Sequence, residues 1–232
     1  MSIDVARRYW DSLFQSMEGE RSARSSAWLN RHLKALARTG NRLVDLGCGT
    51  GDDVRVLARE GFWTVGLDFS WNALTFARDM FPRGRYVQAD LRARRLPFGD
   101  ATFDAVIARC ALHYFTLKET ERVFDEVARI LVPGGAFAFV VNSSKMLVKR
   151  MRYEYKTHKI VEPRTIRFAD GVVRHFFTRP ELAKLLRDDF EVEYEHEGVF
   201  RQYEEQRIAW VIRARKKGTP PKRSRADRSD AV

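Results

Sequence analysis

The feature that most constrains this chain is a set of three glycines, Gly47, Gly49 and Gly51, which stand two residues apart after an apolar segment. That segment, residues 42–46, has the short apolar run of a buried parallel strand. The following segment, residues 52–59, begins with two aspartates and has an apolar helical face, so it predicts a capped helix. Glycine lets the backbone come close to a ligand, and we expect such a turn to direct free backbone N–H groups toward it.

The spacing of the glycines indicates which ligand the turn suits. A dinucleotide-binding turn needs a third glycine three residues after the second, where this chain has Asp52, and a carboxylate there would repel a pyrophosphate. The stretch from Asp45 to Gly51, DLGCGTG, is similar to motif I of the class I S-adenosylmethionine-dependent methyltransferases, whose sulfonium cofactor carries no phosphate. On this motif alone, a tight turn in some other α/β protein stays open as an alternative.

Strand-like and helix-like segments alternate after the turn, which favours a parallel sheet with helices on both faces. The methyltransferase resemblance is strong over residues 41–141. It implies an α/β fold with a doubly wound, seven-stranded sheet whose last strand is antiparallel, and the type 11, small-molecule-type branch is the most similar. The further strands are predicted at residues 63–67, 86–89, 103–108, 136–141, 190–197 and 208–214.

The chain is predicted to divide into a methyltransferase domain and flanking parts. Residues 1–40 form a helical lid or cap, residues 41–214 form the domain, and residues 215–232 form a basic, disordered tail. Residues 143–177 are predicted to be a cap insertion that contains a hairpin with its turn at Asp170-Gly171. Ordinary helix packing remains the alternative to a lid.

Acidic residues end three successive predicted strands, at Asp45, Asp68 and Asp90, where ligands of open α/β sheets bind. The resemblance implies that Asp68 bonds the ribose hydroxyls and Asp90 the adenine amino group, while Asp45 either faces the amino end of the cofactor or is structural. Asp68 and Asp90 could each instead cap a loop or helix. The predicted cofactor-binding residues are Asp45, Gly47, Cys48, Gly49, Gly51, Asp68, Phe69, Asp90, Leu91 and Arg109, with Phe69 and Leu91 as apolar walls of the adenine pocket.

The stretch from Phe103 to Tyr114 resembles motif IV, whose strand end would face the transferable methyl group. Many family members that methylate amino groups have Asn/Asp-Pro-Pro-Tyr there, so the sequence from Arg109 to Leu112, RCAL, argues against methylation of adenine N6, cytosine N4 or glutamine amide. Arg109 could meet an anion or form an ion pair. His113 and His175 are the candidate general bases, although a lone histidine is more often structural and in-line transfer needs no base. The sequence has no metal-ligand spacing, so no metal site is predicted.

The net charge of +11 raises the possibility of nucleic-acid binding, but more than half of the excess lies after residue 212, where eight basic and two acidic residues follow.

The predicted function is transfer of a methyl group from S-adenosylmethionine to a small molecule. The alternatives are an RNA or protein methyltransferase that uses the basic tail, a non-catalytic cofactor-binding protein, and a dinucleotide oxidoreductase, which Asp52 disfavours. With two cysteines, no leader and no long apolar run, we expect a cytoplasmic protein without a membrane partner. The oligomeric state stays open.

Overall fold

The computed structural model describes residues 3–16, 27–151, 158–202 and 205–218. Its centre is a seven-stranded sheet with the order β3-β2-β1-β4-β5-β10-β9. The strands of this sheet are β1 (Arg42–Leu46), β2 (Trp63–Asp68), β3 (Arg85–Gln88), β4 (Phe103–Arg109), β5 (Leu131–Asn142), β9 (Phe190–Gln202) and β10 (Glu205–Lys216).

Eight helices lie along the described part of the chain. They are α1 (Ile3–Ser16), α2 (Ala27–Asn30), α3 (Leu33–Ala37), α4 (Asp52–Arg59), α5 (Trp71–Met80), α6 (Leu117–Ile130), α7 (Ser144–Met151) and α8 (Arg179–Leu186), with a 3₁₀ turn at Leu112–Tyr114. None of the helices in these described ranges is long and apolar enough to cross a membrane.

The sheet has the expected mixed topology. Strands β1 to β5 are parallel to one another, whereas β10 is antiparallel to both β5 and β9, which confirms the doubly wound fold with an antiparallel last strand. The strand order reverses between β1 and β4, because β2 and β3 extend the sheet on one side of β1 and β4 and β5 extend it on the other. In open α/β sheets the carboxyl ends of the strands form a ligand-binding crevice at such a point.

Both faces of the sheet are covered because the buried strands are apolar on both sides. On one face, Val44 packs in a core that includes Phe124 of α6 and Leu182 of α8. On the other face, Leu43 packs in a core that includes Leu57 of α4. Successive residues of β1 therefore serve opposite cores, as the period of two in a strand requires.

Residues 159–175 form a separate three-stranded antiparallel sheet of β6 (Lys159–Glu162), β7 (Thr165–Arg167) and β8 (Val173–His175). The pairing of β7 with β8 confirms the hairpin predicted around Asp170-Gly171. The backbone N–H of Phe177 donates to the carbonyl of Asn142 at 2.9 Å, so the two ends of the inserted segment meet at the end of β5. Residues 152–157, which also belong to the predicted insertion, lie outside the described residues.

Two strand boundaries differ from the predictions. Strand β5 begins at Leu131, before the predicted start at residue 136, and includes Pro133-Gly134-Gly135. Leu131 already pairs with Phe103, and a register irregularity accommodates the next residues. Strand β10 continues through Lys216, so the predicted start of the tail at residue 215 is wrong. Lys216 Nζ donates to the Leu131 carbonyl at 2.8 Å. Residues 219–232 lie outside the described part.

Candidate cofactor and acceptor site

The glycine turn joins β1 to α4 at the carboxyl edge of the sheet. Gly47, Gly49 and Gly51 have φ angles of 73°, 52° and 76°, a left-handed conformation that glycine adopts at little cost. A Cβ at Gly47 would collide with the Cβ of Ala111, and one at Gly49 would lie 3.3 Å from the ring of Phe14. The side chains of Ala111 and Phe14 therefore lie close to these two positions. The sequence predicts that a side chain added at either glycine would also occupy ligand space.

The backbone N–H groups of this turn are largely bonded within the protein. Those of Gly47 and Cys48 donate to the Leu67 carbonyl at 2.7 and 3.0 Å, and that of Gly49 donates to Asp68 at 2.9 Å. The expectation that the turn directs free N–H groups at a ligand is wrong for these three residues. A pyrophosphate-binding turn needs such donors, so the geometry favours a ligand without phosphate.

Asp68 ends β2 and fastens the turn to this strand. One carboxylate oxygen accepts from Gly49, and the other accepts from the backbone N–H of Ser70 at 2.9 Å. The side chain is only 7% exposed, and burial raises its pKa, although the backbone N–H groups of Ser70 and Gly49 oppose this shift. Each oxygen retains acceptor capacity, so the ribose contact stays a prediction, alongside an observed role in organising the turn.

Asp90 has a different environment two residues beyond β3. Its carboxylate accepts from Arg92 Nε at 3.1 and 3.2 Å and from the Arg92 backbone N–H at 2.9 Å. The predicted bond to an adenine amino group would share this carboxylate with a guanidinium. Next to it, Leu91 is buried in the core, and Phe69 is half-buried. Their role as adenine walls stays a prediction.

Asp45 precedes the first glycine and is 2% exposed. Burial raises the pKa of its carboxyl group well above the usual range; the charge of Asp53 raises it further, and Arg109 opposes the shift. Within the described ranges, no group donates a hydrogen bond to this carboxyl. A buried carboxyl in this state suits a cationic neighbour. The site therefore fits a ligand such as S-adenosylmethionine, which carries a sulfonium and an ammonium group and no phosphate.

Arg109 ends β4 and forms an ion pair instead of projecting freely. Its Nε donates to Asp53 at 2.7 Å, and Asp53 also accepts from Trp28 Nε1 at 3.1 Å. This is the ion-pair alternative that the sequence left open. The pair fixes the start of α4 against the end of β4, and the predicted contact of Arg109 with the cofactor is untested.

The two cysteines are buried and serve the fold. Cys48 packs with Val54 and Leu74, so its side chain belongs to the core and only its backbone belongs to the turn. Cys110 follows Arg109 in a left-handed conformation, with a φ of 58°, and burial raises the pKa of its thiol to about 11. This strained turn at the end of β4 had no signal in the sequence, since cysteine rarely adopts it.

The candidate bases occupy two separate environments, and both rings are fully buried. His113 lies on the 3₁₀ turn after β4, with Nε2 3.5 Å from Arg207 Nη1. His175 lies on β8, where Nδ1 is 2.6 Å from Thr165 Oγ1 and Nε2 is 3.7 Å from Glu181. Burial lowers the pKa of His175. His175 therefore has the contacts of a structural histidine, whereas His113 follows the strand end that borders the crevice. Catalysis by either stays a prediction.

Helix α1 lies across the edge of the sheet that carries the glycine turn. Asp11 accepts from Ser70 Oγ at 2.5 Å, Phe14 lies over Gly49, and the Trp10 ring is 4.8 Å from the ring of Tyr114. The helix thus contacts both the turn and the 3₁₀ turn after β4. Its aromatic residues are a sequence signal that also fits ordinary packing, so only the structure reveals this placement.

The comparisons with known proteins agree with this geometry. Residues 44–139 match the family model described as a methyltransferase domain. An uncharacterized methyltransferase of Synechocystis is 42% identical over 101 residues, which cover 44% of this chain and 47% of that protein. A probable tRNA methyltransferase 9B of Mus musculus is 30% identical over 156 residues, which cover 66% of this chain and 33% of that protein. The chain thus matches less than half the length of each of these relatives.

Among solved structures, the 1,6-didemethyltoxoflavin-N1-methyltransferase of Burkholderia thailandensis is similar in fold, with a TM-score of 0.65 and 20% sequence identity. The match covers 94% of this chain and 92% of that chain, which was crystallised with 1,6-didemethyltoxoflavin and S-adenosylhomocysteine. Residues 44–139 are therefore similar to a methyltransferase domain, and the strand order is the fold of the class I S-adenosylmethionine-dependent methyltransferases.

Proposed function

We propose that this protein transfers the methyl group of S-adenosylmethionine to a small-molecule acceptor by in-line displacement. The observation that carries the proposal is that the buried carboxyl of Asp45 adjoins a turn whose backbone N–H groups are largely bonded within the protein. The cofactor supplies an electrophilic methyl on a sulfonium leaving group. In this proposal, Asp45 faces its cationic end, Asp68 holds its ribose, and Asp90 and Leu91 border its adenine.

The work of the protein is then to hold the acceptor and exclude water. Holding a nucleophile in line can supply up to about 7–11 kcal/mol of the barrier. Helix α1 covers the carboxyl edge of the sheet with Trp10 and Phe14, which supports a compact acceptor enclosed beneath it. His113 is the better-placed candidate to accept a proton from the acceptor, because it follows β4.

A second acceptor class is RNA, favoured by the net charge of +11 and by similarity to the probable tRNA methyltransferase 9B. A third possibility is cofactor binding without catalysis. A labelled-methyl transfer screen of metabolite, RNA and protein pools separates the three. We expect label in a metabolite fraction; label in RNA, steeply reduced by added salt, would identify the second class.

Calorimetry tests the cofactor assignment before any acceptor is known. We expect the full chain to bind S-adenosylhomocysteine and not NAD, and a thermal shift should follow the same order. Absence of S-adenosylhomocysteine binding would reject the proposed function, and binding without label in any pool would favour the non-catalytic alternative.

A further inference from the structure

Arg174 of β8 is a buried cation surrounded by aromatic rings from three parts of the chain. Its side chain is only 8% exposed. The guanidinium carbon lies 4.7 Å from the ring centre of Phe168, 5.7 Å from that of Tyr114 and 5.9 Å from that of Tyr9. These distances are within the range of cation–π attraction, which strengthens when the cation is removed from water.

The hairpin itself fixes the direction of this guanidinium. Two of its nitrogens donate to the two oxygens of Asp170, at 3.2 and 2.6 Å. Asp170 is held in turn by the backbone N–H of Val172, which donates to it at 2.8 Å. A bidentate pair of this kind orients Arg174 without help from α1. The cation is therefore pre-oriented to receive the helix.

Helix α1 reaches Arg174 through Tyr9 and meets the hairpin turn one helical turn earlier. A Cβ at Gly171 would lie 2.7 Å from Cγ1 of Val5, so the turn and the helix are in close contact. The adjoining Trp10 stacks edge-on against Tyr114. The other end of the helix is at the cofactor side, where Phe14 lies over Gly49. One rigid helix thus links the hairpin to the glycine turn.

We propose that Arg174 is a positioning residue that holds α1 closed over the crevice and so controls how long the cofactor product is retained. The inference rests on the proposed function. Because Phe14 lies over the glycine turn, exchange of the cofactor requires α1 to move away. Tyr114 and Phe168 hold Arg174 from the body of the protein, whereas Tyr9 is the contact that breaks when α1 moves.

The test measures the dissociation rate of S-adenosylhomocysteine from the full-length protein by surface plasmon resonance, with thermal unfolding as a second readout. Arg174→Met and Tyr9→Leu should each increase the rate about tenfold, which corresponds to the loss of one or two cation–π contacts. The double variant should increase it no further, because the two changes remove the same contact. Tyr9→Phe keeps the aromatic ring, so S-adenosylhomocysteine should dissociate from it at the wild-type rate.

The matched control is Arg187→Met, which removes an exposed arginine paired with its neighbour Asp188. Its dissociation rate should equal that of the wild type. A lower melting temperature with an unchanged dissociation rate in Arg174→Met would show a purely structural arginine and overturn the inference. If Arg174→Met does not fold, an unchanged rate in Tyr9→Leu overturns it. Failure of the wild type to bind S-adenosylhomocysteine would instead reject the proposed function.

Discussion

The two halves of the crevice are built in different ways. The half that is proposed to bind the cofactor, the cofactor half, comprises the glycine turn and the ends of β1, β2 and β3. Most of its polar contacts join residues close in sequence or on adjacent strands, such as Asp68 with Ser70 and Asp90 with Arg92. The half that is proposed to hold the acceptor, the acceptor half, comprises the end of β4, the 3₁₀ turn, the β6–β8 sheet and α1. There Arg174 meets Tyr9, and His113 meets a residue 94 positions away. A local motif therefore encodes the first half, whereas the second exists only after long-range docking.

The largest expected effect tests whether the glycine turn tolerates any side chain. Gly47→Ala should destabilise the protein by about 3 kcal/mol and abolish S-adenosylhomocysteine binding, because left-handed strain adds to a collision with Ala111. Gly61→Ala is the control: its φ is 85°, but the space around it is open, so only about 1 kcal/mol of strain is expected. Urea unfolding and calorimetry measure the stability and the binding of both variants. Equal losses would contradict the prediction that the collision with Ala111 makes Gly47 more sensitive than Gly61.

The second prediction ranks two acids of the cofactor half. Asp68→Ala removes the acceptor of two backbone N–H groups and should weaken S-adenosylhomocysteine binding by about 2–3 kcal/mol. Asp90→Ala removes a carboxylate that is already paired with Arg92, so a loss of about 1 kcal/mol is expected. Calorimetry on both variants gives the order. A greater loss for Asp90 would mean that its adenine contact outweighs the turn-fastening role of Asp68.

The third prediction concerns pH. The folded state holds the Asp45 proton more tightly than the unfolded chain, so this carboxyl lowers the free energy of unfolding as pH rises above 3.8, the ordinary aspartate value. Asp45→Asn cannot ionise and should be more stable than the wild type at pH 8, with a difference that grows as the pH rises from 5. It should also bind the cationic cofactor less tightly there. Urea unfolding and calorimetry between pH 5 and pH 8 test this, and an Asn variant that is less stable at pH 8 would contradict it.

The smallest expected effect concerns the histidines. His113→Asn and His175→Asn should each change cofactor affinity by less than about twofold, or 0.4 kcal/mol, because no predicted cofactor contact involves either ring. Direct titration with S-adenosylhomocysteine provides the measurement. A tenfold loss in either variant would place that histidine in the cofactor half and blur the distinction between the two regions.

The same contrast explains what the sequence could predict. The change from strand to helix around Gly47 and the acids at strand ends depend on local periodicity, so the fold and the location of the cofactor half follow from them. The pairing of Arg92 with Asp90 is equally local but was not predicted, because a loop arginine has many possible partners. The ion pair of Arg109 with Asp53 and the left-handed Cys110 depend on how β4 meets α4. The sequence reading also missed the early start of β5, since Pro133 and the glycines after it usually interrupt a strand.

The antiparallel direction of β10 has a practical consequence. Because this strand runs opposite to β5, it finishes at the amino edge of the sheet, where Gly218 lies near Pro133. Gly218, the last residue that the structure describes, therefore lies on the side of the sheet remote from the glycine turn. A label or fusion partner joined directly after Gly218, or a truncation made there, should leave ligand entry unobstructed, which makes this position the appropriate place to immobilise the molecule for the kinetic measurements.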